Sequence, residues 1–228
     1  MNNDIIRIAN CSGYYGDKLS AAKELVDGGP IDVLTGDYLA ELTMGILYSQ
    51  KLQRGNDKGY VATFLKQLKQ IAQTCQDKNI KIVVNAGGLN PKSMSHEVQS
   101  ILDDMNLSSR VAYIDGDDIS QDLQTLQNEG EQFNNLDKEI SLKDSGHKVL
   151  TANTYLGAWG IKEALDQNAD IVICPRVTDA SVVIGPAAWK FNWQRNDYNQ
   201  LAGALAAGHI IECGAQATGG NYAFFKEV

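Results

Sequence analysis

The sequence predicts an α/β layered fold, Rossmann-like and doubly wound, with a mostly parallel sheet of at least five strands and helices on both faces. Three observations predict it. Five short apolar runs, at residues 5–9, 31–34, 82–84, 111–114 and 171–174, are rich in Ile and Val and too short for helices. Each empties into a polar or Gly-containing loop, and a helical stretch follows each loop. A parallel strand is reached by a crossover, usually a helix, so this alternation argues for parallel pairing. Right-handed crossovers place every strand's carboxyl end on one edge, where ligands of open α/β sheets bind near the point at which strand order reverses. The polar loops are therefore expected to converge there.

At 228 residues the chain is long enough for one α/β domain, 1–228, whose core needs no staples. Its 43% hydrophobic and 21% charged residues are those of an ordinary globular protein. A net charge of -8 with no basic stripe excludes nucleic acid as a partner, because polyanions are held largely by Lys and Arg. Cys11, Cys75, Cys174 and Cys213 are widely spaced and form no metal knuckle or disulfide framework, which suits reduced thiols and a cytoplasmic protein. The amino terminus has no basic region ahead of an apolar one, and no run is long enough to span a membrane.

Taken in order, helices are expected at 18–26, closed by Asp27-Gly-Gly-Pro30, then from about Tyr38 to Arg54, and at 60–75, 92–105, 119–126, 161–167 and 201–207. The first loop, with Ser12, Gly13 and Gly16, matches G-x-G-x-x-G at two glycines and has Cys11 in place of the first. It would bring backbone N–H groups to a pyrophosphate or another anion, with Asp37 in the ribose-binding position; Asp17 and Ser20 equally suit a plain helix start. Asp37 and Glu41 lie four apart and would share a helical face, either as acid–base or metal groups or as a cap with a first-turn charge. After the central strand, Asn85, Gly87, Gly88 and Asn90 offer amide and backbone donors with little bulk, suited to a carboxylate, phosphate or thioester oxygen. The alternative there is a tight turn into a Pro-started helix.

Asp115, Asp117 and Asp118 form the densest acidic group and could hold a hard divalent ion, or one of the last two could cap the next helix. Residues 128–146 read as a flexible insertion or lid. Asn153 and Tyr155 face a ligand or the sheet. Arg176 ends the fifth strand, either as a clamp for an anion or as a partner for the acidic loops, and Asp179 serves chemistry or caps the helix after it. His209 is the histidine candidate for acid–base work, three residues before Glu212. Gly219, Gly220 and Asn221 repeat the Gly-plus-amide pattern of the central loop.

These stretches resemble a known family. The motifs Asn10-Cys-Ser-Gly-Tyr-Tyr-Gly-Asp17, Gly36-Asp-Tyr-Leu-Ala-Glu41, Asn85-Ala-Gly-Gly-Leu-Asn-Pro91, Asp115-Gly-Asp-Asp118, Ala152-Asn-Thr-Tyr-Leu-Gly157, Arg176-Val-Thr-Asp179 and Gly208-His-Ile-Ile-Glu-Cys-Gly-Ala-Gln-Ala-Thr-Gly-Gly-Asn221 are similar in order and spacing to the amino-terminal domain of the acyclic terpene utilisation (AtuA-like) family. The resemblance implies a part in breaking down citronellol-type acyclic terpenes and, more widely, in branched-acid catabolism alongside acyl-CoA carboxylases and hydratases. It implies an enzyme or enzyme component with an acyl or terpenoid small-molecule ligand and a CoA thioester as substrate. The cofactor stays open, Mg²⁺ and NAD both being compatible with the loops. Family members continue well past residue 221, so a homo-oligomer, or a partner chain completing a longer domain, is expected. The alternatives are an NAD-type dinucleotide-binding oxidoreductase and a non-catalytic partner subunit.

Overall fold

A computed structural model of the chain describes residues 5–213. Five strands, β1 (Ile8–Asn10), β2 (Val33–Gly36), β3 (Lys81–Val84), β4 (Val111–Tyr113) and β5 (Ile171–Ile173), form one sheet in the order β1-β2-β3-β5-β4, and every pair is parallel. Side chains of a strand alternate between faces, so a sheet covered on both sides needs apolar residues at consecutive positions. That is why the two central strands carry the unbroken apolar stretches Ile82-Val-Val84 and Ile171-Val-Ile173. Leu34, Ile82, Val84, Ile171 and Ile173 point to one face, and Val33, Val83 and Val172 to the other.

The first face is covered by α1 (Ala21–Gly28), α2 (Glu41–Arg54), α3 (Ala62–Lys78) and α4 (Pro91–Asp104). Phe64, Leu68, Ile71 and Cys75 of α3 recur at helical spacing and are buried against it. After α5 (Leu123–Asn128) and α6 (Leu142–Ser145), the chain crosses to the second face through α7 (Trp159–Asp166) and α8 (Ser181–Lys190). The change of face follows from the order: the path steps outward from β1 to β4 and then returns to insert β5 beside β3. The loops leaving β3 and β5, neighbours in the sheet, therefore lead to helices on opposite faces, α4 on the first and α8 on the second. The last helix, α9 (Tyr198–Ile211), lies on α8. Among the described residues no helix is long and apolar enough to cross a membrane.

Several helices begin later than the sequence pattern suggests. Residues 37–40 run before α2 because the Tyr38 ring turns into the core, where it meets Phe64 edge-on and its hydroxyl donates to Gln67 Oε1 at 2.6 Å. α5 starts at Leu123 because Asp118 pairs with Asn153 in an antiparallel bridge and the Ile119 N–H donates to Ala152. None of residues 128–146 is buried, and α6 among them is capped by Ser141, whose hydroxyl accepts from the Asp144 N–H.

Candidate functional site

The five described loops meet at the carboxyl edge of the sheet. The Asp37 N–H donates to Ser12 O, joining the first two, and the Gly87 N–H donates to Cys174 O, joining those of β3 and β5. The Arg176 N–H donates to Asp117 Oδ2 at 3.2 Å, joining those of β5 and β4. Asn10 on β1 donates through its side chain to the Ile211 carbonyl, which draws the end of α9 into the same edge.

Asp37 is at the centre, 5% exposed. Asn85, itself wholly buried, accepts from the Tyr38 N–H at 2.7 Å and donates its side-chain amide to Asp37 Oδ1. Oxygens of Asp37, Asp179 and Glu212 all lie within 4.8 Å of one another. Burial, with the negative charge of Asp179 behind it, raises the Asp37 carboxyl to about 7, against the pull of the Asn85 hydrogen bond. Burial also raises Glu212, whose Oε2 is buried without a hydrogen-bond partner among the described residues. A carboxyl poised near neutrality beside two others can take or give a proton. The same oxygens are of the type that holds a hard cation such as Mg²⁺, and they are the only such group among the described residues.

Arg176 forms the wall next to them, only 4% exposed. It donates to Asp179 Oδ1 at 2.7 Å and to the Val177 carbonyl at 2.9 Å, and it lies 3.9 Å from Glu41. Its guanidinium stacks over Tyr155 at 4.1 Å from the ring centre, and the Tyr155 hydroxyl donates to Glu41. That hydrogen bond lowers the Glu41 pKa. The Arg176 fork thus meets two of the chain's own acids, Asp179 and Glu41.

Other expectations are corrected. Asp37 is not the cap of α2, whose N-cap is Ala40; Glu41 does sit in its first turn. Asp179 is not the cap of α8, whose N-cap is Ala180. Asp115, Asp117 and Asp118 do not gather around one point. Asp115 and Asp118 are exposed, whereas Asp117 is buried and accepts from Asn153 at 2.8 Å, and burial raises its pKa. His209 is exposed, its Nδ1 lying 3.0 Å from the Leu205 carbonyl of its own helix.

The central loop is no open cradle for an oxygen. The N–H groups of Gly87, Gly88, Leu89 and Asn90 go to Cys174, Asn85, Gly59 and Gly87 carbonyls, and Asn90 caps α4 by accepting from Ser93. Gly88 has φ +54°, and a Cβ there would lie 2.4 Å from Leu47 Cδ1; one at Gly87 would lie 2.6 Å from Cys174 O. The glycines serve close packing.

In the first loop, too, N–H groups are taken by the chain itself. The Gly13 and Lys18 N–H groups donate to the two oxygens of Asp17, and Asp37 turns inward to Asn85. The Ser12 hydroxyl donates to Tyr14 O, and Gly16 at φ +100° turns the loop. Burial holds the Cys11 thiol at about 11, which leaves it protonated and a poor nucleophile. Gly219, Gly220 and Asn221 lie outside the described residues. Sequence reasoning passed over Glu212 in favour of His209, although the acid at the end of an apolar helix was the signal.

An apolar cleft of about 380 Å³ lies between α7, α8 and α9, lined among others by Trp159, Ile184 and Leu205. A smaller one, about 170 Å³ and lined by Gln76, Ser108 and Asp170, lies at the opposite edge of the sheet.

The fold and site together define a parallel α/β protein with a carboxylate cluster at the carboxyl edge of its sheet. The family model described as acyclic terpene utilisation family protein AtuA matches residues 6–228, and the chain belongs to that family. No curated protein and no solved structure matches it. The family's name implies a role in acyclic terpene utilisation.

Proposed function

We propose that the chain is a cytoplasmic enzyme, or enzyme component, of acyclic terpenoid or branched-chain acyl catabolism that moves a proton at the polar end of an acyl or acyl-CoA substrate. One observation carries this reading: Asp37 is buried, braced by Asn85 and poised near pH 7, with Asp179 and Glu212 beside it. Four carboxylates, those of Asp37, Glu41, Asp179 and Glu212, surround the single guanidinium of Arg176, which disfavours a free carboxylate at this point and suits an uncharged thioester. Asp37 takes the proton from the carbon next to the thioester carbonyl, the C–H electron pair moves toward the carbonyl oxygen, and the proton returns from Asp37. Arg176 is a positioning residue that fixes Asp179 and Glu41. Were the cluster to take Mg²⁺ in place of a proton on Asp37, the oxygens of Asp37, Asp179 and Glu212 would hold it, and the ion would supply positive charge that stabilises a developing oxyanion. Residues 128–146 would then serve as a lid.

The test is exchange of the α-proton of a short acyl thioester, butanoyl-N-acetylcysteamine, in D₂O, followed by NMR. Catalysed exchange that Asp37→Asn abolishes while the variant stays folded supports the proposal. Exchange at the uncatalysed rate with wild-type protein, with and without Mg²⁺, overturns it.

A second reading has its own observation. Tyr198 and Ile210 of α9 are 73% and 70% exposed, and a helix apolar on all sides is normally covered, which favours a homo-oligomer or a partner chain seated there. Sedimentation showing only a monomer that copurifies with no other chain counts against it.

A further inference from the structure

We propose that the Tyr155 hydroxyl and Arg176 Nη2 form the seat of the oxyanion that develops on the ligand, and that Glu41 occupies this seat until the ligand displaces it. The proposal rests on the proton-transfer reading for the chemistry at Asp37. One oxygen of Glu41, Oε1, accepts from the Tyr155 hydroxyl and is also the oxygen that faces Arg176 Nη2, at 3.9 Å. Two donors from different stretches of the chain thus converge on one point, and an anionic oxygen stands there.

Three features make that oxygen a placeholder. Arg176 reaches Asp179 and the Val177 carbonyl through Nη1, whereas among the described residues Nη2 makes no hydrogen bond, since 3.9 Å is beyond hydrogen-bonding length. A guanidinium whose side chain is only 5% exposed therefore keeps an open donor toward the seat. Glu41 is its opposite: its side chain is 79% exposed and stands in the first turn of α2, so turning it out to water costs no more than about fivefold in population. Tyr155 stays behind when Glu41 leaves. Its ring lies against the guanidinium, and its segment is pinned on either side by the Asp118–Asn153 and Leu156–Val177 bridges. The hydrogen bond to Glu41 holds the Tyr155 phenol above its ordinary pKa, with burial adding to it and Arg176 opposing both. Without Glu41 the cation makes that phenol a stronger donor.

The seat and the base share a neighbour. Asp179 accepts from Arg176 Nη1 at 2.7 Å and has an oxygen within 4.8 Å of one of Asp37. When Asp37 takes a proton, the electron pair left on the ligand moves to an oxygen held by a phenol and a guanidinium, both of which donate hydrogen bonds and keep their protons. Sodium acetate, which offers the carboxylate of Glu41 without its tether, is the probe. In calorimetric titration of the intact chain, Glu41→Ala is expected to bind acetate at least about tenfold more tightly than wild-type protein, and the double variant Glu41→Ala, Tyr155→Phe to lose about tenfold again. Circular dichroism shows whether each variant folds. In the α-proton exchange assay, Tyr155→Phe is expected to slow the catalysed rate about 100-fold and to leave KM within about threefold.

Acetate binding that is equal in wild-type protein and folded Glu41→Ala, or that Tyr155→Phe leaves unchanged, overturns the seat. Exchange that proceeds at the wild-type rate in Tyr155→Phe also overturns it and leaves proton transfer by Asp37 standing. Acetate uptake by Glu41→Ala with no exchange in wild-type protein does the reverse: the anion seat holds and the proton-transfer reading falls.

Discussion

Two exits of the same sheet edge teach opposite lessons. The turn after β3, Asn85 to Asn90, has the glycines and amides of a ligand-binding loop, yet its N–H groups from Gly87 to Asn90 are all taken by the chain's own carbonyls. The exits of β2 and β5 look like ordinary helix starts, with Asp37 and Asp179 in place for caps, yet the helices begin beyond both acids and the carboxylates meet each other instead. A donor counts as a site only when nothing nearby already accepts from it. An acid is a cap only if the helix begins next to it.

The largest effect that would break this contrast is expected at Gly88. A Cβ there meets Leu47 and the Gly59 carbonyl under 3.0 Å, at a positive φ, so Gly88→Ala should cost on the order of 3 kcal/mol in urea denaturation. A loss below about 1 kcal/mol would show slack in the turn and reopen it as a cradle. Asn85→Leu should cost about 2–3 kcal/mol, because it strands the buried Tyr38 N–H and removes the donor to Asp37. Recovery of most of that loss at pH 4, where Asp37 is neutral in either case, would apportion it between the two partners.

Asp37 sharpens the contrast through pH. Its folded value near 7 lies above the ordinary carboxyl range, so between about pH 4 and 7 the folded chain holds a proton that the unfolded chain has lost. Wild-type stability should fall as pH rises through that window. Asp37→Asn removes Asp37's share of the dependence, leaving that of Asp117 and Glu212, and should gain up to roughly 4 kcal/mol at pH 8 and nothing at pH 4. Parallel stability curves for the two proteins would sink the claim. Arg176→Lys keeps the charge and loses the fork that reaches Asp179 and the Val177 carbonyl together, for an expected loss of about 1–2 kcal/mol in thermal or urea unfolding. The smallest effect is expected at Asp115→Ala and Asp118→Ala. Both residues are exposed and should shift stability by no more than about 0.5 kcal/mol and leave any Mg²⁺ response intact.

The strands were legible because a strand buried on both faces must be apolar at every position, and no other short element writes Ile and Val in that way. β3 and β5 lie within a residue of their apolar runs, while β1 begins at Ile8 because Ile5, 49% exposed, has no neighbouring strand to cover it. The convergence of loops was legible too, from the alternation alone. Which loop residues would face each other was not. Glu212 is the C-cap of α9, 33 residues after Asp179 and 175 after Asp37, and only the packing of α9 on α8 brings it to them.

The sequence by itself determined the parallel α/β layering, the edge on which polar loops collect and the family, because these follow from periodicity and local order along the chain. Tertiary structure alone decided that Asp37, Asp179 and Glu212 form one cluster, that Arg176 is held by its own acids and that the central glycines are filled space. The reason is physical: a pKa, an engaged donor and an excluded Cβ depend on which groups are close in space, and strand order, not sequence distance, sets that closeness.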